Sequence, residues 1–72
     1  MVRVIERLSA RGHVNVSAKH KTTLEVTVDH DITPRGDCIV AVSSSKGAAS
    51  LSSMFKKVAG SDGAIIRMII EC

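Results

Sequence analysis

Residues Val14 to Asp29 alternate with a period of two, and no other part of the chain constrains the fold as strongly. The even positions are Val14, Val16, Ala18, His20, Thr22, Leu24, Val26 and Val28; the odd ones are Asn15, Ser17, Lys19, Lys21, Thr23, Glu25, Thr27 and Asp29. Such alternation predicts half-buried β structure, because successive side chains of a strand point to opposite faces. One unbroken strand over this stretch would reach roughly 53 Å. A compact chain of this length has a radius of gyration of about 11 Å. The stretch is therefore expected to bend near Lys19–Thr22, or to run past the body of its own domain.

Ahead of it, Val2, Val4, Leu8 and Ala10 alternate with Arg3, Ile5, Arg7, Ser9 and Arg11. A helix competes here, since Val4, Ile5 and Leu8 would share one face and Gly12 could follow its end. A strand is preferred, because strand pattern follows and Arg11-Gly12-His13 reads as a bend. Thr33-Pro34-Arg35-Gly36 is a turn: proline presets φ and glycine accepts a positive φ. Cys38–Val42 then forms a short apolar strand in an antiparallel hairpin with Leu24–Val28. Ala48, Leu51, Met54, Phe55 and Val58 fall at helical spacing, with Ser44 or Ser45 as cap. Lys56 and Lys57 suit the last turn, Gly60 ends the helix, and Ser61-Asp62-Gly63 turns the chain. Ala64, Ile66, Met68, Ile70 and Cys72 alternate with Ile65, Arg67, Ile69 and Glu71, which predicts a last strand inside a sheet or covered on both faces.

Residues 1–72 thus read as one β-rich domain, mainly β or α+β: a small antiparallel sheet with one helix. A single helix leaves part of the sheet face open. Composition sharpens this, because nine Val, seven Ile and four Thr are joined by one aromatic residue, Phe55. A chain this short buries only about 60% of its unfolded surface. A sandwich- or barrel-like core completed by a second copy across a two-fold axis resolves the shortage.

The net charge of +3 and pI of 9.2 favour an anionic partner without making a nucleic-acid tail. Arg3, Glu6 and Arg7 interrupt the apolar start, so it is not a signal peptide, and no window is long enough for a membrane span. Two cysteines, Cys38 and Cys72, are too few for a disulfide framework. A cytoplasmic protein with reduced thiols is the simplest reading.

Arg11-Gly12-His13-x-Asn15-Val16-x-Ala18-x-His20-x-Thr22-Thr23-Leu24-Glu25-Val26-Thr27, then Ile32-Thr33-Pro34-Arg35-Gly36-Asp37-Cys38-Ile39 and Lys46-Gly47, resembles the archaeal family Domain of Unknown Function 371. The resemblance covers nearly the whole chain and implies a small β-rich fold in an archaeal cytoplasm. It carries no activity, cofactor or catalytic residue to any position. Members of that family are longer, with a second half that looks like a diverged copy of the first, whereas this chain stops at Cys72. Either two identical chains replace the fused halves, or the chain is a fragment.

His13, His20, Asp37 and Cys38 could form a metal site, since imidazole, carboxylate and thiolate are all ligands. Their spacing is not diagnostic, and the plainer reading makes His20 a hydrogen-bonded histidine and His13 a bend residue. His20 and Cys38 could instead be base and nucleophile, but no catalytic signature surrounds Cys38, and an inert structural thiol is simpler. Ser45, Lys46 and Gly47, leading into a helix start, offer an anion cradle; the plainer reading is that the serines cap the helix. Arg3, Arg7 and Arg11 share parity, and Lys19, Lys21 and Arg35 can extend a basic stripe toward phosphates, although a solvated strand face also explains them. The chain lacks the aromatics on which single-strand readers stack bases. Arg35 and Asp37, with Glu25, flank the Pro-Gly turn, to position a ligand or to brace the hairpin.

The leading reading is a homodimeric, non-enzymatic binding module for a phosphate-bearing anion such as RNA or a nucleotide, using His13, His20, Arg35, Asp37, Ser45, Lys46 and Gly47. A metal-assisted hydrolase with His13, His20, Asp37 and Cys38 near the dimer seam is the first alternative. A structural subunit of a protein complex is the second. No motif specifies a cofactor, and no residue is assigned to catalysis.

Overall fold

The computed structural model describes residues 3–72. Val2, the first residue assigned to the opening strand, lies outside them. The regular elements are short: β1 (Glu25–Val26), β2 (Ile39–Ala41), a 3-10 helix (Ala48–Ser50) and α1 (Ser53–Ala59).

β1 and β2 run parallel, with Glu25 opposite Ile39 and Val26 opposite Ala41. This corrects the antiparallel hairpin expected between Leu24–Val28 and Cys38–Val42. The expected turn is present, with the Gly36 amide donating to the Thr33 carbonyl at 3.1 Å. A second turn follows at once, the Ile39 amide donating to the Gly36 carbonyl at 3.0 Å. One reversal would give a hairpin; a second restores the heading of the chain. The connection over residues 27–38 is long enough for a parallel pair, which a tight turn is not.

Beyond β2 the chain lies between two neighbours. On one side Arg11 and Val42 exchange both backbone hydrogen bonds, at 2.7 and 2.8 Å, and the Ser45 amide donates to the Ser9 carbonyl at 2.8 Å. This bridge is antiparallel. On the other side the Ser43 amide reaches the Asp29 carbonyl at 2.8 Å and the Ser44 amide the Thr27 carbonyl at 3.0 Å. Amides along a regular strand alternate sides, yet these two successive ones face the same neighbour. The cause is Ser43, whose φ of 53° places it in the left-handed region, as in a β-bulge. The core is centred here: among the described residues Val42 is the buried hydrophobic one, at 2% exposure, and Ser44 is buried two residues on.

The other expected strands are corrected in the same way. Residues 3–10 form no strand, and only Arg11 joins a bridge. Over 14–24 the chain turns at His13–Val16, takes φ 50° at Ala18 and bends at Lys21–Thr22, the region where the length argument requires a bend. Local side chains explain the lost ladder. His13 Nδ1 accepts the Asn15 amide at 3.0 Å, and His20 Nδ1 accepts those of Thr22 and Thr23 at 3.3 and 3.1 Å. Hydrogen bonds of this kind compete directly with strand pairing.

The helix is also shorter than its spacing predicts. Leu51 and Ser52 are extended, with ψ near 150°, and separate the 3-10 turn from α1. Ser52 is the cap, its hydroxyl accepting the Phe55 amide at 3.1 Å, while Ser44 and Ser45 belong to the central segment and cap nothing. Lys56, Lys57 and Gly60 stand at its end as expected. Residues 64–72 form no strand within the described chain and are mostly exposed, which corrects the covered last strand.

Candidate functional site

Two loop stretches, 13–20 and 31–37, lie side by side in the same direction. His13 Nε2 meets Asp31 Oδ1 at 2.9 Å. Asn15 Nδ2 donates to the Ile32 carbonyl at 2.9 Å, and Ser17 Oγ to the Pro34 carbonyl at 3.1 Å. The Lys19 and His20 amides share the Asp37 carbonyl, at 2.9 and 3.1 Å. Two of these rungs use the short polar side chains of odd positions, Asn15 and Ser17, so that this part of the alternation is read out as loop-to-loop bracing.

The same bonds fix the ring protons. His13 Nδ1 accepts an amide, so its proton sits on Nε2 and points at Asp31; His20 likewise accepts at Nδ1 and keeps a donor at Nε2. His13, His20, Arg35 and Asp37 therefore stand on adjoining stretches, with Lys19 and Lys21 exposed beside them.

Ser45, Lys46 and Gly47 lie against other parts of the chain. Ser45 Oγ accepts the Ser9 amide at 3.0 Å, Ser44 Oγ donates to the Lys46 carbonyl at 2.7 Å, and Ser43 Oγ meets His30 Nδ1 at 2.9 Å. Lys46 Nζ is 2.5 Å from Glu6 Oε2, and Glu6 Oε1 accepts the Ser52 amide at 2.7 Å. The Lys46 ammonium, and then the Ser52 amide, hold the Glu6 carboxyl down at about 2. Gly47 is the N-cap of the 3-10 turn Ala48–Ser50, with no side-chain cap bond, and α1 begins later, at Ser53.

Cys38 Sγ donates to Glu25 Oε2 at 3.4 Å. That bond, followed by burial, raises the thiol pKa and keeps the sulfur protonated, a poor state for a nucleophile or a metal ligand. Among the described residues no group of three or more His, Cys, Asp or Glu gathers to hold a metal ion. The set His13, His20, Asp37 and Cys38 is thus not brought together. Cys38 and Cys72 are both free.

A family model described as a domain of unknown function, DUF371, matches residues 8–72. The chain belongs to the DUF371 family. An uncharacterized protein of Methanocaldococcus jannaschii, MJ0206, is 46% identical over 50 residues, which are 69% of this chain and 37% of that protein. The chain thus matches well under two thirds of this archaeal relative's length. No solved structure matches.

All the candidate residues from His13 to Gly47 fall inside the DUF371 match, while Glu6 precedes it. Glu6, Asp31 and His30 were not singled out by sequence. Glu6 meets Lys46 across 40 positions, and no local pattern announces such a partner. Among the described residues of this DUF371 chain, no helix is long and apolar enough to cross a membrane.

Proposed function

We propose that this DUF371 chain is a homodimeric, non-enzymatic binding module for a phosphate-bearing anion, an RNA or a nucleotide, in an archaeal cytoplasm. One observation carries the reading. Of the ten Lys and Arg side chains, only Lys46 meets a carboxylate among the described residues. Lys19, Lys21 and Arg35 are exposed and unneutralised beside the braced loops. Such cations attract a polyanion and gain affinity by releasing its counterions. Lys19 and Arg35 supply charge, His20 offers its Nε2 proton as a neutral donor, and the Asp37 carbonyl fixes the backbone at Lys19 and His20. Phe55 is half-buried, so contacts fall on phosphates rather than on stacked bases.

The test is titration with tRNA and with nucleotides at several salt concentrations. Affinity for tRNA is expected to fall linearly on a log–log plot, with Lys19→Ala and Arg35→Ala each lowering the slope by about one. Lys46→Ala, which removes a cation already held by Glu6, should leave the slope unchanged. Absence of salt-sensitive binding to either ligand overturns the proposal.

A further inference from the structure

The segment Ala64–Cys72 is the least satisfied part of the molecule. The Ala64 amide bonds the Ser61 carbonyl at 3.2 Å, and beyond it no backbone group is hydrogen bonded among the described residues. Its apolar side chains face solvent: Ile65 is 96% exposed, Met68 67% and Ile69 72%. The segment walls a cleft of about 1230 Å³ whose other side includes Val4, Leu8, Leu24 and Val40. An extended stretch with free N–H and C=O groups and apolar residues on both faces has the character of an unpaired strand edge.

The surface area indicates how much is left uncovered. The chain exposes 6168 Å². A compact monomer of 7.7 kDa exposes about 4,300 Å². The surplus, about 1,800 Å², is of the size that one subunit contributes to an obligate dimer.

Charge selects the occupant and its register. Arg67 and Glu71 are the two charged side chains of the segment. In an antiparallel pair of identical segments centred on Ile69, Arg67 stands opposite the partner's Glu71, and the two-fold axis repeats the pair. Met68 then opposes the partner's Ile70, on a face that also carries Ile66 and Cys72 and is wholly apolar. Centring on Arg67 or Glu71 instead sets like charges against each other, which destabilises cross-strand pairs. A strand of unrelated sequence would gain nothing from this arrangement.

We propose that Ala64–Cys72 is the dimer seam: two copies pair antiparallel about Ile69, with Arg67 facing the partner's Glu71 at both ends. This rests on the homodimeric reading and adds the surface and register to it.

Sedimentation equilibrium on the full chain tests it. The chain is expected to dimerise at micromolar concentration. Arg67→Glu and Glu71→Arg should each weaken the dimer on the order of tenfold, since every change strikes two pairs, and the double exchange should restore it. In a Cys38→Ser/Cys72→Ser background, Ile69→Cys should cross-link copies under mild oxidation and Ile66→Cys should not. A well-folded monomer at these concentrations overturns both dimer and seam. A dimer indifferent to both single exchanges overturns the seam alone, and one weakened by each but not restored by the double overturns the register.

Discussion

Val42–Ser45 carries no charge and Ile65–Cys72 is apolar apart from Arg67 and Glu71, yet the two short runs meet opposite fates. Each of the four amides from Val42 to Ser45 finds a carbonyl, in order those of Arg11, Asp29, Thr27 and Ser9. From Ile65 onward none does among the described residues. Apolar patterning shows what a segment can bury. Whether it becomes a strand depends on a neighbour arriving with unsatisfied backbone of its own.

The strongest way to break this contrast is at its closed end. Val42→Asp places a charge in the buried centre and should abolish cooperative unfolding, while Val42→Ala should cost about 2 kcal/mol in urea titration. Next comes the tie that holds the chain's beginning to the helix entry. The Glu6 carboxyl is depressed in the folded state from its ordinary 4.5 to about 2. The unfolded chain therefore binds the proton more readily, so this stabilisation is complete above about 4.5 and lost as pH falls toward 2. Thermal melts between these limits should show the loss, and Glu6→Gln should flatten it.

A smaller effect separates the two thiols. Cys38, held protonated by Glu25, should react with iodoacetamide several-fold more slowly than exposed Cys72 at pH 8 in dilute protein, as peptide mass mapping would show. The smallest expected change lies at the open end. Ile69→Ala should alter monomer stability by less than about 0.5 kcal/mol. A larger loss in dilute protein would mean that the segment is covered within its own chain.

How much of this was legible in the sequence depends on how local the cause is. The Thr33–Gly36 turn, the bend within 19–22 and the helix end at Gly60 follow from residues acting on their immediate neighbours, and the structure has all three. The parallel heading of β1 and β2 does not, because it needs a second turn at Gly36–Ile39, and the Gly36-Asp37 signal there merges with that of the Pro-Gly turn before it. The alternation of 14–24 was misleading because His13 and His20 satisfy nearby amides that a ladder would have used. At the candidate site the placing of Arg35 and Asp37 about the Pro-Gly turn was legible, whereas the rungs that lay 13–20 along 31–37 were not. The withdrawal of Lys46 depends on Glu6, which lies 40 positions away.

The placing of Val42–Ser45 between two earlier stretches also bears on how the chain is made. Both neighbours, around Ser9–Arg11 and Thr27–Asp29, leave the ribosome before the segment that joins them. The bonds from Val42–Ser45 to these neighbours therefore close last, after the bracing of 13–20 with 31–37 and the pairing of β1 with β2 have all their residues available. Slowing translation before that point should prolong exposure of the stretch around Ser9–Arg11 to proteases.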